Sequence, residues 1–136
     1  MESAEPMSLL TDKHKIEAIQ REFIDCVERC HAWKVPISEN IVLKSELDRS
    51  EQYYAITHYD EKRDQFETTV SDLIWKEYKR RPLEALHNVL LHELCHTIRG
   101  CFNHGKHWRY WVEKLNAEHG TKINPHPFSA KETDLF

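Results

Sequence analysis

Apolar positions recur at helical spacing from the start of the second decade: Ile16, Ile19, Phe23, Val27 and Cys30 share one face of a helix. Thr11 can cap its start, and the pattern ends before Val35-Pro36, because a residue preceding proline avoids the helical region. The period then shortens to two. Ile41 and Leu43 alternate with Val42 and Lys44, predicting a short strand, and a second strand covers Tyr53 to Tyr59. The polar run from Asp60 to Asp64 reads as a turn, and Phe66, Thr68 and Val70 predict a third strand. Together the three predict a small antiparallel meander. Ser71 or Asp72 can cap a short helix carrying Leu73, Ile74 and Tyr78. Pro82 suits the first turn of a central helix, running through Leu83, Leu86, Leu90 and Leu94 and stopping at Gly100. A closing helix from Lys106 to His119 carries Trp108, Trp111, Val112 and Leu115 on one face, with Gly120 after it. The predicted organisation is a flexible leader over 1–10, one α+β domain over 11–120 and an irregular tail over 121–136.

Composition narrows the classes open to such a chain. With 136 residues it is one domain, long enough to bury roughly 68% of its unfolded surface without disulfide staples. Apolar residues at 40% exclude a disordered chain. A net charge of −4 argues against a polybasic protein, and the one dense basic cluster, Lys76, Lys79, Arg80 and Arg81, reads as a solvated face. No apolar run approaches the ~20 residues of a membrane span. The acidic amino terminus lacks a signal peptide's charge and apolar stretch. The expectation is a soluble, cytoplasmic protein, with the nucleus as the alternative in a eukaryote, and with Cys26, Cys30, Cys95 and Cys101 reduced. Cys26 and Cys30, one turn apart beside His31, read as small residues on a partly buried helix face rather than a metal site.

Ten histidines stand against three glycines, and their placement carries the chemistry. The central helix contains His92-Glu93-Leu94-Cys95-His96, an H-E-x-x-H pattern. Histidines four apart project from one helix face, so both imidazoles can reach one ion at ~2.0–2.1 Å. Glu93 points about 100° away around the axis, near the ion without ligating it, where it can take a proton from an activated water. At 100° per residue, Leu83, Leu90, Leu94 and Ile98 share a narrow arc that predicts the core face, with His92 and His96 roughly opposite.

Zinc catalysis takes three protein ligands and an open position. The metzincin pattern needs a third histidine where Phe102 stands and a glycine where Arg99 stands, so it does not apply. Glu113 and Glu118 could serve from the closing helix, but Asn103-His104-Gly105-Lys106-His107-Trp108 offers better donors. Extended back one turn, that helix aligns His104 with Trp108, Trp111 and Leu115, facing the central helix, while His107 turns away by about 60°. His104 is therefore the expected third ligand, with His107 the fallback.

Leu90-Leu91-His92-Glu93-Leu94-Cys95-His96 with downstream His104-Gly105-x-x-Trp108 resembles the SprT-like (Spartan-type) metallopeptidase domain, whose pattern is an H-E-x-x-H helix followed by His-Gly-x-x-aromatic. The order of elements from about Thr11 to Gly120 is similar too. The resemblance implies a zincin-like domain with one Zn2+ at His92, His96 and His104, Glu93 as acid/base, and a protein or peptide substrate. In well-known members that substrate is protein crosslinked to DNA, which makes DNA a second partner to consider. An exposed meander strand, Phe66 to Val70, is the expected seat for an extended peptide. The alternative from a different class is a non-catalytic, zinc-stabilised binding or regulatory module. The sequence carries no signal for oligomeric state.

Overall fold

The computed structural model describes residues 11–125; the predicted leader and the tail beyond residue 125 lie outside them. Helix α1 (Asp12–Ala32) begins as its cap residue dictates, with Thr11 Oγ1 accepting from the His14 N–H at 3.3 Å. Its buried positions, among them Ala18, Ile19, Cys26 and Cys30, face the rest of the domain. His31 is exposed and does not join the cysteines.

Three strands follow: β1 (Ile41–Asp48), β2 (Ala55–Asp60) and β3 (Gln65–Ser71). They do not form a meander. The order is β1-β3-β2, with β1 parallel to β3 and β2 antiparallel to it. Alternation reveals a strand but not its neighbour. Only β2 and β3 are joined by a tight turn, in which Asp60 Oδ1 accepts from the Lys62 N–H at 3.0 Å. The chain leaves β1 by a longer connection, which crosses to the far side of β3. Backbone bonds from Phe66 N to Asn40 O (2.8 Å) and from Asp72 N to Asp48 O (2.9 Å) fasten the β1–β3 pair at both ends. β3 is thus the central strand, buried over most of its length. Between Thr57 and Thr68 a hydroxyl pair 2.7 Å apart satisfies two polar groups inside the core.

Asp72 is the N-cap residue of helix α2 (Leu73–Glu77) without a side-chain cap bond; the Leu73 N–H donates instead to Ser71 Oγ at 3.1 Å, and that hydroxyl donates to the Ser50 carbonyl at 2.6 Å. Asp72 is left to ion-pair with Lys15 of α1 at 2.6 Å, both side chains 7% exposed, and with Arg49 at 3.2 Å. Helix α3 (Pro82–Cys95) starts at proline as expected but ends five residues before Gly100. From His96 the N–H groups bond three residues back rather than four, to Glu93, Leu94 and Cys95 at 3.0–3.2 Å, and the Thr97 hydroxyl takes the Leu94 carbonyl at 2.7 Å. Gly100, at φ +83°, then reverses the chain.

The expected core arc of α3 needs one correction. Leu83 is 36% exposed, because periodicity names the buried face and not how far along the helix cover extends. Opposite the leucines the histidine side is covered as well, every residue from 90 to 98 being buried. Leu86, Leu90, Leu91 and Leu94 belong to one core cluster with residues of α1 and the sheet, and the histidine side is roofed by helix α4 (Lys106–His119) through the fully buried Trp108. Gly120 closes α4 in the left-handed region at φ +69°. Among the described residues no helix is long and apolar enough to cross a membrane.

Candidate metal centre

His92 lies in the last turn of α3 and His96 is its C-cap, so the change of helical pitch occurs between the two rings. Their Nε2 atoms are 3.3 Å apart. His104 arrives from the loop before α4, its Nε2 3.1 Å from that of His92 and 3.0 Å from that of His96. Three nitrogens each about 2.0–2.1 Å from a tetrahedral ion would stand roughly 3.4 Å apart. The donor set therefore fits a zinc ion with little movement. His107 and the glutamates Glu113 and Glu118 are exposed on α4 and outside this group.

Which nitrogen faces the centre is fixed by the backbone. The turn at Gly100 brings the Cys101 carbonyl to 2.9 Å from His96 Nδ1, which donates to it and leaves the Nε2 lone pair for a cation. Trp108 lies against all three rings: it stacks on His96 (centroids 5.4 Å, 15°) and meets His92 and His104 edge-on at 4.8 and 4.7 Å. Asn103 turns the chain into His104, Oδ1 accepting from the Gly105 N–H at 2.9 Å. A Cβ at Gly105 would stand 2.7 Å from that same oxygen, the physical reason for glycine after the histidine.

Electrostatics hold the rings in the ligating form. Burial pushes His96 down to about 4, with Glu93 opposing the shift and His92 adding to it. His104 falls to about 3 through burial and the neighbouring His96 and His92. His92 is lowered by burial against a pull from Glu93. Neutral imidazoles whose Nε2 atoms converge are what a cation requires. Glu93, 1% exposed, acts electrostatically on both helix histidines and shares with His92 the wall of a cleft of about 250 Å³.

The four cysteines are free and buried, and none belongs to the histidine group. A second convergence joins Glu22, Asp25 and His87 between α1 and α3. It is already satisfied: Glu22 Oε1 lies 3.1 Å from His87 Nδ1, and Arg29 Nε donates to Asp25 at 2.7 Å. Sequence reasoning missed Trp108 as a platform, the Cys101 carbonyl and Asn103. Two of the three glycines, Gly100 and Gly105, were the available signal.

A family model, SprT-like family, matches residues 47–128. The chain belongs to the SprT-like family. The matched stretch runs from the end of β1 past α4 and contains His92, Glu93, His96 and His104. It leaves out α1, which layout alone had joined to the resemblance. Neither the curated proteins nor the solved structures contain a match to the chain.

Proposed function

We propose that this SprT-like chain is a zinc-dependent peptidase. The observation that carries the reading is the triangle of Nε2 atoms, 3.0–3.3 Å on each side, with a buried carboxylate next to it. His92, His96 and His104 would hold the ion. Zinc in that position supplies Lewis acidity, which polarises a carbonyl and lowers the pKa of water toward ~7. Glu93 accepts the proton of the attacking water as the C–O bond forms. It then delivers that proton to the amide nitrogen as the C–N bond breaks, so that one water is added across the bond.

Substrate backbone needs a strand edge, and β3 cannot offer one because both its sides are paired. The expected seat at Phe66–Val70 is therefore replaced by β2, an edge strand among the described residues. The Ser71 N–H bonds the Tyr54 carbonyl at 2.8 Å, and pairing along the two strands is regular, so the backbone groups of Ala55, Thr57 and Tyr59 point away from β3. Ala55 also lines the cleft with Glu93, so an extended peptide added here passes the histidines. At the same cleft stands Tyr78, amid exposed Lys76, Lys79 and Arg80, which suits phosphate contacts from DNA-bound substrates.

The test compares wild type with Glu93→Gln on an unfolded protein substrate, with and without single-stranded DNA, alongside metal analysis. Cleavage should fall by about 10²–10⁴-fold in the variant while one zinc per chain is retained. Undiminished cleavage overturns the role of Glu93. Stoichiometric zinc with no cleavage by the wild type instead identifies a non-catalytic module.

A further inference from the structure

The cleft of about 250 Å³ beside Glu93 has Tyr54, Ala85, Val89 and Ile123 as apolar lining, with Asn88 and Lys122 among its polar lining. An apolar cavity of about 150 Å³ is enough for a benzene ring, so one leucine- or phenylalanine-sized side chain fits here. One wall is unusual, for it comes from residues 122–124, which have no secondary structure. What fixes them is Asn116 on α4. Its Nδ2 donates to the Ile123 carbonyl at 2.8 Å, and its Oδ1 accepts from the Ile123 N–H at 3.1 Å and the Thr121 hydroxyl at 2.6 Å. Asn88 of α3 adds a fourth tie, its Oδ1 accepting from the Lys122 N–H at 3.2 Å. Ile123 is thereby held 3% exposed, inside the core cluster, at a set distance from the helix that carries Glu93.

The side of the substrate that enters follows from the chemistry. Glu93 must reach the leaving nitrogen, and it forms part of the cavity's wall. We infer that this cavity selects an apolar side chain on the residue supplying the leaving amine, and that Asn116 is the positioning residue that sets its size through Ile123. The inference rests on the peptidase reading.

The experiment digests a random peptide mixture with the zinc-loaded full chain and reads the residue at each new amino terminus. Leucine, methionine and phenylalanine should exceed alanine and glycine there by about tenfold or more, since even one methylene in an apolar pocket is worth ~10–200-fold. Ala85→Phe fills the cavity and should turn the preference toward glycine and alanine. Asn116→Ala releases the wall and should flatten the profile; if it fails to fold, Ala85→Phe carries the test. A second arm measures binding of zinc-loaded Glu93→Gln to peptides that differ only by phenylalanine or glycine at that residue. An affinity ratio of about ten that disappears in Glu93→Gln/Ala85→Phe supports the pocket. A flat wild-type profile, a profile unmoved by Ala85→Phe, or equal affinities overturns it. Selective binding without any cleavage by the wild type leaves the pocket standing and sinks the peptidase reading.

Discussion

Replacing Gly105 by alanine isolates how the turn before α4 aims His104. The backbone there, φ −83° and ψ −164°, suits any residue, so the cost arises from contact rather than conformation. The new Cβ would lie 2.7 Å from Asn103 Oδ1 and 3.6 Å from its Cγ. Asn103 is exposed, so its amide can swing aside, but only by giving up the bond it accepts from residue 105 at 2.9 Å. A hydrogen bond of this kind contributes about 1 kcal/mol. Removing glycine's freedom in the unfolded chain returns about 0.4–1 kcal/mol, and the poorer N-cap takes about as much away. Gly105→Ala and Asn103→Ala should therefore each cost about 1 kcal/mol, and the double variant also about 1 rather than about 2, because a single bond is lost once. Urea denaturation of the metal-free protein measures the cycle. Competition with a chelator should show zinc held about 10–100-fold more weakly in all three variants, His104 having lost its orientation. Additive stability losses, with a coupling under about 0.3 kcal/mol, would refute the shared-bond account.

Three further outcomes follow from the same packing. Trp108→Ala removes a fully buried ring lying against three histidines and should cost about 3–5 kcal/mol by denaturant titration, with zinc affinity falling in parallel. His96 and His104 titrate at about 4 and about 3 when folded against 6.5 unfolded, so the unfolded chain binds more protons below pH 6.5. Metal-free protein should thus lose stability as pH falls from about 6.5 toward 4 and change little from this source above 7; a melting temperature flat across that window contradicts the assignment. Asp72→Ala should destabilise by about 3–5 kcal/mol by stranding buried Lys15, whereas Lys15→Met should cost less because Arg49 still faces Asp72 at 3.2 Å. Equal losses in the two variants would count against that ordering.

Local patterning alone made much of this molecule legible. Thr11, Pro82 and Gly120 mark helix ends through short-range backbone chemistry, and the apolar periods around them name helices and strands that the fold contains. His92, Glu93 and His96 could be read together because one helical turn sets their geometry without help from the rest of the chain. Strand order is different in kind: whether β1 or β2 lies beside β3 depends on a crossing that leaves no trace in alternation, so the antiparallel meander expected of these strands gave way to a mixed sheet. Burial depends on partners in the same way. Leu83 sits on the core arc yet is exposed, and how completely Trp108 buries the histidine side of α3 is set by the packing of α4. The meeting of His104 with the other rings, the tautomer imposed by the Cys101 carbonyl and the wall held by Asn116 join residues that are separate along the chain. Backbone periodicity acts within a turn or a strand, whereas the closing of loops onto a packed core is decided only when all the elements compete for the same space.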